Sequence, residues 1–127
     1  MKAAFVDSSA VASVLLGEPG GRAVASRLER FDRLLAATLL EAEIRALLAR
    51  EGVAESPDVV LAVFSWVLPD RPLTAEYEQV LARGHVRGAD LHHLATALFV
   101  DPSASELAFV TLDARQKKLA AQLGFAT

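Results

Sequence analysis

Four carboxylates in this sequence stand at positions where acidic side chains can do chemistry: Asp7, Glu43, Asp90 and Asp113. Asp7 directly follows the apolar run KAAFV, and Asp113 directly follows LAFVTL, so each comes where a buried strand is predicted to end. Asp90 lies near the start of the helical stretch GADLHHLATAL. Aspartate is also an ordinary helix N-cap, and Gln116 completes a capping-box spacing after Asp113, so each aspartate taken alone is equally compatible with capping.

Glu43 is the most informative of these acids because its helical neighbours are apolar. The residues three and four positions before and after it are Leu39, Leu40, Ala46 and Leu47. This carboxylate is therefore predicted to point into the buried face of its helix or to the edge of that face. Burying an unpaired carboxylate costs several kcal/mol, so a compensating partner is expected. Glu41, in contrast, has Arg45 four residues further on and is predicted to form a surface ion pair.

Two histidines follow Asp90 in the same window and raise the question of a zinc site. Zinc needs three or four nitrogen, sulfur or carboxylate ligands at tetrahedral spacing. The chain has no cysteine, no HxxxH or HxH pair, and only His85 besides these two, so a histidine metal site is not favoured. Helical geometry turns His92 away from Asp90 and places His93 on the side of Asp90, roughly one turn on. We predict a surface position for His92 and a packed or hydrogen-bonded position beside the site for His93.

The acids, if the sheet brings them together, repel one another, which raises their pKa values, and a divalent cation removes that penalty. Oxygen ligands without cysteine or paired histidine favour a hard ion, Mg²⁺ or Mn²⁺. Such an ion keeps several waters, one of which can become the nucleophile for phosphodiester hydrolysis, while the ion also neutralises the scissile phosphate. Four carboxylates are enough for one ion or for two.

Strand-like and helix-like runs alternate along the chain, and these elements must position the acids. Strands are predicted at 2–6, 34–37 and 107–112, with a further short strand in 65–74 that Pro69 and Pro72 interrupt. Helices are predicted at 8–17, 21–31, 38–50, 57–64, 74–84, 88–98 and 114–125, with Gly52 ending the third and Thr74 capping the fifth. This alternation is typical of an α/β domain with a mainly parallel sheet, which binds ligands beyond the carboxyl ends of its strands.

The bulk composition limits the class of protein. The chain has 127 residues, which fit a single domain over 1–127, and 53% of them are hydrophobic, enough for a substantial core. The net charge of −3 excludes a general polyanion binder, so any nucleic acid must be held by a local basic cluster. Cysteine is absent, Asp7 interrupts any signal-peptide core, and the apolar stretch 59–68 is too short for a membrane helix. We expect a soluble cytoplasmic protein with no membrane contact.

Four segments together give the sequence a family resemblance: FVDSSA, LLEAEIRALL, GADLHHLATAL and FVTLDARQKKLAAQLGF. The chain resembles the PIN-domain ribonucleases in these segments and in the order in which they occur. Its length and its set of motifs are most similar to those of the VapC-like toxins of bacterial toxin–antitoxin modules. The segments span nearly the whole chain, and residues 52–86 are the least distinctive part. The resemblance implies a three-layer α/β/α sandwich with a mainly parallel central sheet.

The resemblance also implies roles for individual residues. The acidic quartet that binds Mg²⁺ or Mn²⁺ and cleaves RNA corresponds to Asp7, Glu43, Asp90 and Asp113. Ser9 and Thr111 match hydroxyl positions that support the site by hydrogen bonding, and His93 matches a position often held by a histidine that is not a ligand. Glu41 is a second acid near Glu43, which leaves open which of the two faces the metal.

Two protein partners are further implied by the resemblance. One is a cognate antitoxin that inserts a segment over the groove, and the other is a second copy of the chain in a homodimer. Phe64, Trp66 and Val67 are apolar residues that can contribute to such an interface, although packing in the core is the simpler interpretation for each.

Contact with RNA requires positive charge near the acidic pocket. The predicted RNA-binding residues are Arg115, Lys117 and Lys118, because they directly follow a proposed ligand near the start of a helix. A second basic cluster comprises Arg22, Arg27, Arg30 and Arg33. For either group, a solvated helix face is the alternative interpretation.

Two other classes of function are alternatives to a nuclease. Aspartyl-phosphate proteins also carry an aspartate after a strand, but phosphatases of this kind need a second aspartate two positions on, where Ser9 stands. Receiver domains need paired acids after the first strand and a lysine after a late strand, where this chain has Asp113. The other alternative is a non-catalytic binding domain of the same fold, and metal binding distinguishes it from a nuclease.

Overall fold

Four short strands form one all-parallel sheet in the computed structural model, which describes residues 1–127. The strands are β1 (Ala3–Val6), β2 (Arg33–Ala37), β3 (Phe64–Val67) and β4 (Ala108–Val110). Their order across the sheet is β3-β2-β1-β4. The strands that precede Asp7 and Asp113 are therefore neighbours, and their carboxyl ends lie side by side at one end of the sheet.

Helices cover both faces of this sheet. They are α1 (Ser8–Leu15), α2 (Gly21–Leu28), α3 (Thr38–Arg50), α4 (Asp58–Leu61), α5 (Thr74–Leu81), α6 (Gly88–Val100) and α7 (Ala114–Leu123). Because side chains alternate along a strand, Phe5 of β1 packs in one apolar layer with α5, α6 and α7, while Ala4 and Val6 pack in the other with α1 to α4. The fold is thus an α/β/α sandwich around a parallel sheet, as the resemblance implies.

The segment 57–67 departs from the predicted arrangement. The predicted helix over 57–64 is wrong beyond its first turn, because α4 ends at Leu61 and Phe64 begins β3. Phe64, Trp66 and Val67 favour a pleated strand, and β3 pairs along its whole length with β2. Strand pairing therefore prevails over the local helical pattern, and the prolines at 69 and 72 follow the strand instead of interrupting it.

Of the predictions for the ends of two helices, one was wrong and one was confirmed. Thr74 is the first residue of α5 and not its cap, since the N-cap position is held by Leu73 without a side-chain hydrogen bond. Gly52 has a φ of 67° directly after the cap of α3, so it ends this helix as predicted. Glu41 forms the predicted ion pair with Arg45 at 2.8 Å.

The surface near β3 carries exposed apolar side chains. Phe64 and Val67 are buried and Trp66 is half-buried, whereas Val59 and Val63 are 83% and 59% exposed. No helix of the chain combines the length and the apolar character that crossing a bilayer requires.

Candidate functional site

Asp7 lies at the carboxyl end of β1, next to Thr111, which follows β4. Val6 is in register with Val110, and the Asp7 N–H donates to the Val110 carbonyl at 3.2 Å. Thr111 Oγ1 donates to Asp7 Oδ2 at 2.6 Å, and Ser9 Oγ donates to Asp7 Oδ1 at 2.8 Å. The two hydroxyl residues singled out in the sequence thus both contact the Asp7 carboxylate.

The Asp7 carboxylate is almost completely withdrawn from solvent, with 2% of the residue exposed. Burial raises its pKa, and hydrogen bonds from Thr111, Ser9 and the Ala10 N–H offset only part of this effect. The bond from Ala10, in the first turn of α1, makes Asp7 a helix N-cap as well. The three donors occupy three of about four lone-pair positions on the carboxylate, so one position is left for a further ligand. Capping and ligation are therefore compatible at Asp7.

Glu43 reaches from α3 to residues of α1 and α6. Its Oε1 accepts hydrogen bonds from Ser8 Oγ at 2.5 Å and from His93 Nε2 at 2.6 Å. Burial alone would raise the pKa of Glu43, but the bonds from His93 and Ser8 outweigh it, and the pKa is lowered. Oε2 accepts no hydrogen bond from the protein, so it is available to another ligand. Because Glu41 pairs with Arg45 on the surface, Glu43 is the acid that contacts the other site residues.

His93 on α6 is buried, and its ring is held through one nitrogen only. Nε2 contacts Glu43 Oε1 and lies 3.0 Å from Ser8 Oγ, whereas Nδ1 has no hydrogen-bond partner. A Ser–His–acid hydrolase uses the two ring nitrogens separately, one for the nucleophile and one for the acid. Ser8 and Glu43 therefore do not form such a triad with His93. Sequence reasoning missed Ser8, although its place beside Asp7 in FVDSSA was a signal for it.

His92 is half-buried, so it lies at the surface as predicted but is also packed on one side. Its Nδ1 lies 2.8 Å from the hydroxyl of Tyr77, because α5 packs against α6 at this point. Burial lowers the pKa of His92, and His93 lowers it further.

Asp90 and Asp113 line one surface depression of about 400 Å³. Its other lining residues are Arg87, Ala114 and Arg115. The pKa of Asp90 is raised, mainly by burial and further by the negative charges of Asp113 and Glu43. Asp113 Oδ1 accepts the Gln116 N–H at 2.8 Å as the cap of α7, while Oδ2 accepts no hydrogen bond. The depression therefore brings together carboxylates that repel one another and that have oxygens without hydrogen-bond donors. A cation would stabilise this arrangement.

The capping box predicted around Asp113 is only half formed. The Gln116 side chain does not return to the Asp113 N–H, which instead donates to Thr111 Oγ1 at 3.0 Å. Gln116 Nε2 donates to the backbone carbonyl of Asp90 at 3.2 Å. These bonds join α6, α7 and the end of β4, so they fix Asp90 relative to Asp113.

The four acids are not gathered as closely as in a preformed metal centre. Asp90 and Asp113 share one depression, Glu43 lines a second one, and Asp7 is buried. No group of three or more histidine, aspartate and glutamate side chains lies close enough to hold an ion. The donor chemistry nevertheless fits a hard divalent cation, because the ligands are carboxylate oxygens, two of the acids have raised pKa values, and Mg²⁺ commonly takes one or two carboxylates with water completing its shell.

The predicted RNA-binding residues are distributed unevenly around the site. Arg115 lines the depression of Asp90 and Asp113. Lys118 lines a neighbouring depression that also includes Arg115. Lys117 is exposed and lines neither.

The family model of the PIN domain matches residues 4–122, which is nearly the whole chain, so the protein belongs to the PIN domain family. PIN domains are generally nucleases, and PIN-domain nucleases generally use divalent metals. Comparison with curated proteins gave no match.

Proposed function

We propose that this protein is an endoribonuclease that hydrolyses RNA phosphodiester bonds with Mg²⁺ or Mn²⁺, and that it is the toxin of a type II toxin–antitoxin pair. The observation that carries the nuclease proposal is the shared depression of Asp90 and Asp113, with Arg87 and Arg115 on its wall. A cation there relieves the repulsion between the carboxylates, and the arginines supply charge-assisted hydrogen bonds for a phosphate.

In this proposal the acids hold the cation through the oxygens that the protein leaves free. Asp90 and Asp113 Oδ2 would hold it directly within their depression, whereas Glu43, through its free Oε2, and Asp7, through its remaining lone pair, would hold it through water molecules of its shell. When bound, the ion supplies neutralisation of the scissile phosphate and an activated water. Arg115 orients the phosphate by hydrogen bonds to its oxygens.

Other side chains keep these acids in place. Ser9 and Thr111 fix both oxygens of Asp7, and His93 fixes Oε1 of Glu43, which leaves Oε2 free of hydrogen bonds from the protein. Groups that orient metal-binding residues in this way commonly change metal affinity or activity by about 10–100-fold when they are removed.

The nuclease proposal is tested by cleavage of single-stranded RNA with Mn²⁺, with Mg²⁺ and with EDTA. We expect cleavage only with a divalent ion, and a loss of at least about 100-fold in Asp90→Asn and Glu43→Gln, because each removes charge that holds the ion. Glu41→Gln is the matched control and should cleave like the wild type, since Glu41 lies on the surface with Arg45. Undiminished cleavage in Asp90→Asn or in EDTA would contradict the proposal.

The aspartyl-phosphate alternative gains no support from the geometry of Asp7. With 2% of the residue exposed and three donors on its carboxylate, a phospho-donor has little access to its oxygens. The non-catalytic alternative predicts neither cleavage nor a thermal shift with Mn²⁺.

The toxin part of the proposal rests on the resemblance of the chain to VapC-like toxins, and it places the protein in the bacterial cytoplasm. Expression in bacterial cells should arrest growth, and expression of Asp90→Asn should not. Growth without arrest, together with RNA cleavage by the purified protein, would remove the toxin role and leave the nuclease standing.

We further propose a cognate antitoxin and a homodimer as partners. An apolar groove of about 380 Å³ supports a protein partner, since nine of its ten lining residues are hydrophobic. The lining includes Val11 and Val14 of α1, Leu28 of α2, Val59 of α4, and Val63 between α4 and β3. We assign the groove to the antitoxin segment. Co-purification with the product of an adjacent gene tests the antitoxin, and light scattering tests the dimer.

A further inference from the structure

A second depression, which we name the basic pocket, adjoins the depression of Asp90 and Asp113. Its volume is about 360 Å³. The connection between α5 and α6 supplies Arg83, Gly84 and His85, and α7 supplies Arg115, Lys118, Leu119 and Gln122. Leu119 is its one hydrophobic lining residue, so the pocket presents mainly hydrogen-bond donors and positive charge.

The basic pocket concentrates unpaired positive charge. Arg83, Arg115 and Lys118 are exposed, and none of them takes part in an ion pair, whereas three other arginines of the chain are each paired with an acid. No aspartate or glutamate lines the pocket. In a chain with a net charge of −3, three cations without acidic partners in one concavity form a local site for an anion.

Close packing of the connection on α7 forms the pocket. A Cβ at Gly84 would lie 3.0 Å from Leu119 Cδ2, so the backbone approaches α7 more closely than most side chains allow. Leu119 is buried and anchors this contact in the core. Arg83 and His85 flank Gly84 and are therefore held opposite Arg115 and Lys118 by the fold.

Arg115 lines both depressions, so the basic pocket is continuous with the wall of the acidic one. We propose that the basic pocket binds a backbone phosphate of the RNA strand next to the bond that is cleaved, an inference that rests on the proposed ribonuclease function. A strand whose scissile phosphate lies near Asp90 and Asp113 continues past Arg115 to Arg83 and Lys118. Phosphate contacts of this kind position a strand without reading its bases.

The pocket is tested first by RNA binding in EDTA, where no metal-dependent cleavage interferes. The probe is a fluorescein-labelled single-stranded RNA of mixed sequence, and its affinity is measured by anisotropy over a range of salt concentrations. The double variant Arg83→Ala/Lys118→Ala leaves Arg115 in place. We expect its plot of log affinity against log salt to be shallower by about 0.7, since the pocket holds one phosphate and each phosphate contact on a single strand contributes about 0.7.

The matched control removes two positive charges that lie outside the basic pocket. Lys2→Ala/Arg45→Ala changes two exposed cations that belong neither to the predicted RNA-binding residues nor to the second basic cluster, and neither of them lines the pocket. We expect its salt dependence to equal that of the wild type. Equal slopes for the two double variants, or a wild type that does not bind the RNA at low salt, would overturn the proposal. Unfolding midpoints of all three proteins verify that the folds are intact.

A cleavage assay supplies a second readout that separates the two proposals. If the pocket only binds the strand, Arg83→Ala/Lys118→Ala should raise KM and leave kcat within about twofold of the wild type. A loss confined to kcat would overturn the binding role. A wild type that binds RNA through the pocket and cleaves nothing would contradict the proposed function alone.

Discussion

Thr111 Oγ1 lies 2.6 Å from Asp7 Oδ2, although the two residues are 104 positions apart in the chain. The residue that follows the last strand thereby fixes the carboxylate that follows the first. The same oxygen accepts the Asp113 N–H at 3.0 Å, so one hydroxyl connects two of the four acids. The relative position of these acids therefore depends on a side chain that is not itself acidic.

Thr111→Val tests this connection, because valine keeps the shape of the side chain and removes the hydroxyl. Asp7 loses a donor and the Asp113 N–H loses its acceptor, so we expect the free energy of unfolding to fall by about 1–3 kcal/mol. Cleavage should fall by about 10–100-fold. Denaturant unfolding and RNA cleavage measure the two effects. Thr74→Val, at an exposed threonine, should change neither, and full activity in Thr111→Val would show that the hydroxyl does not position Asp7.

His93→Gln and His93→Leu test whether His93 acts by donating to Glu43 Oε1. Glutamine retains an N–H donor, whereas leucine fills a similar volume without one. Mn²⁺ affinity, measured by calorimetry, should fall by about 10–100-fold in His93→Leu and less in His93→Gln. Equal losses in both variants would mean that His93 contributes packing only.

Asp90→Asn tests the electrostatic cost of assembling the acids. Its charge is disfavoured mainly by burial and further by Asp113 and Glu43, so in EDTA the variant should unfold at a higher temperature than the wild type. With Mn²⁺ the order should reverse or the difference disappear, because the ion stabilises the wild type more. Asp70→Asn, at an exposed aspartate, serves as the charge-matched control. A wild type that is insensitive to Mn²⁺ would contradict this account.

Asp101 gives a pH-dependent contribution to stability away from the site. Its Oδ2 accepts the N–H groups of Glu106 and Leu107 at 2.9 and 3.0 Å. Burial tends to raise the pKa of Asp101, but these backbone bonds outweigh it and lower the pKa from its ordinary value of 3.8. A carboxyl whose pKa is lower in the folded state stabilises the fold above its unfolded pKa, and this contribution is lost as pH falls through the folded value.

Asp101→Ala should therefore lower the free energy of unfolding by about 2 kcal/mol at neutral pH. The difference from the wild type should shrink below about pH 4, where the unfolded carboxyl becomes protonated. Urea unfolding at several pH values measures it, with Asp70→Ala as the control. A difference that does not change with pH would show that the effect comes from lost packing and not from the charge.

The order of strands and helices could largely be predicted from the sequence, because buried strands and amphipathic helices leave strong periodic patterns. The segment 57–67 is the exception. The helical turn and the strand in this segment are both apolar in composition. Only the pairing of β3 with β2 shows where the strand begins. Thr74 and Gln116 show a similar limit, since a cap-forming residue type does not decide which partner its side chain finds in space.

The candidate site was less accessible to sequence reasoning than the fold. The acids stand out by their places after strands and on a helix, but Ser8 and His93 gain their importance from contacts across α1, α3 and α6. Arg83 and His85 lie in the least distinctive part of the chain, and only the packing of Gly84 on α7 brings them to Arg115. Contacts between distant segments decide these roles, and no local pattern encodes them.

The pairing of the first strand with the last also sets an order of events during synthesis. The neighbour strand β4 and Thr111 are translated more than 100 residues after Asp7. Parallel pairing across such a separation forms late, because the long loop must close before the contact is gained. The nascent chain therefore carries the acid of β1 without a completed centre until β4 and Thr111 have been translated.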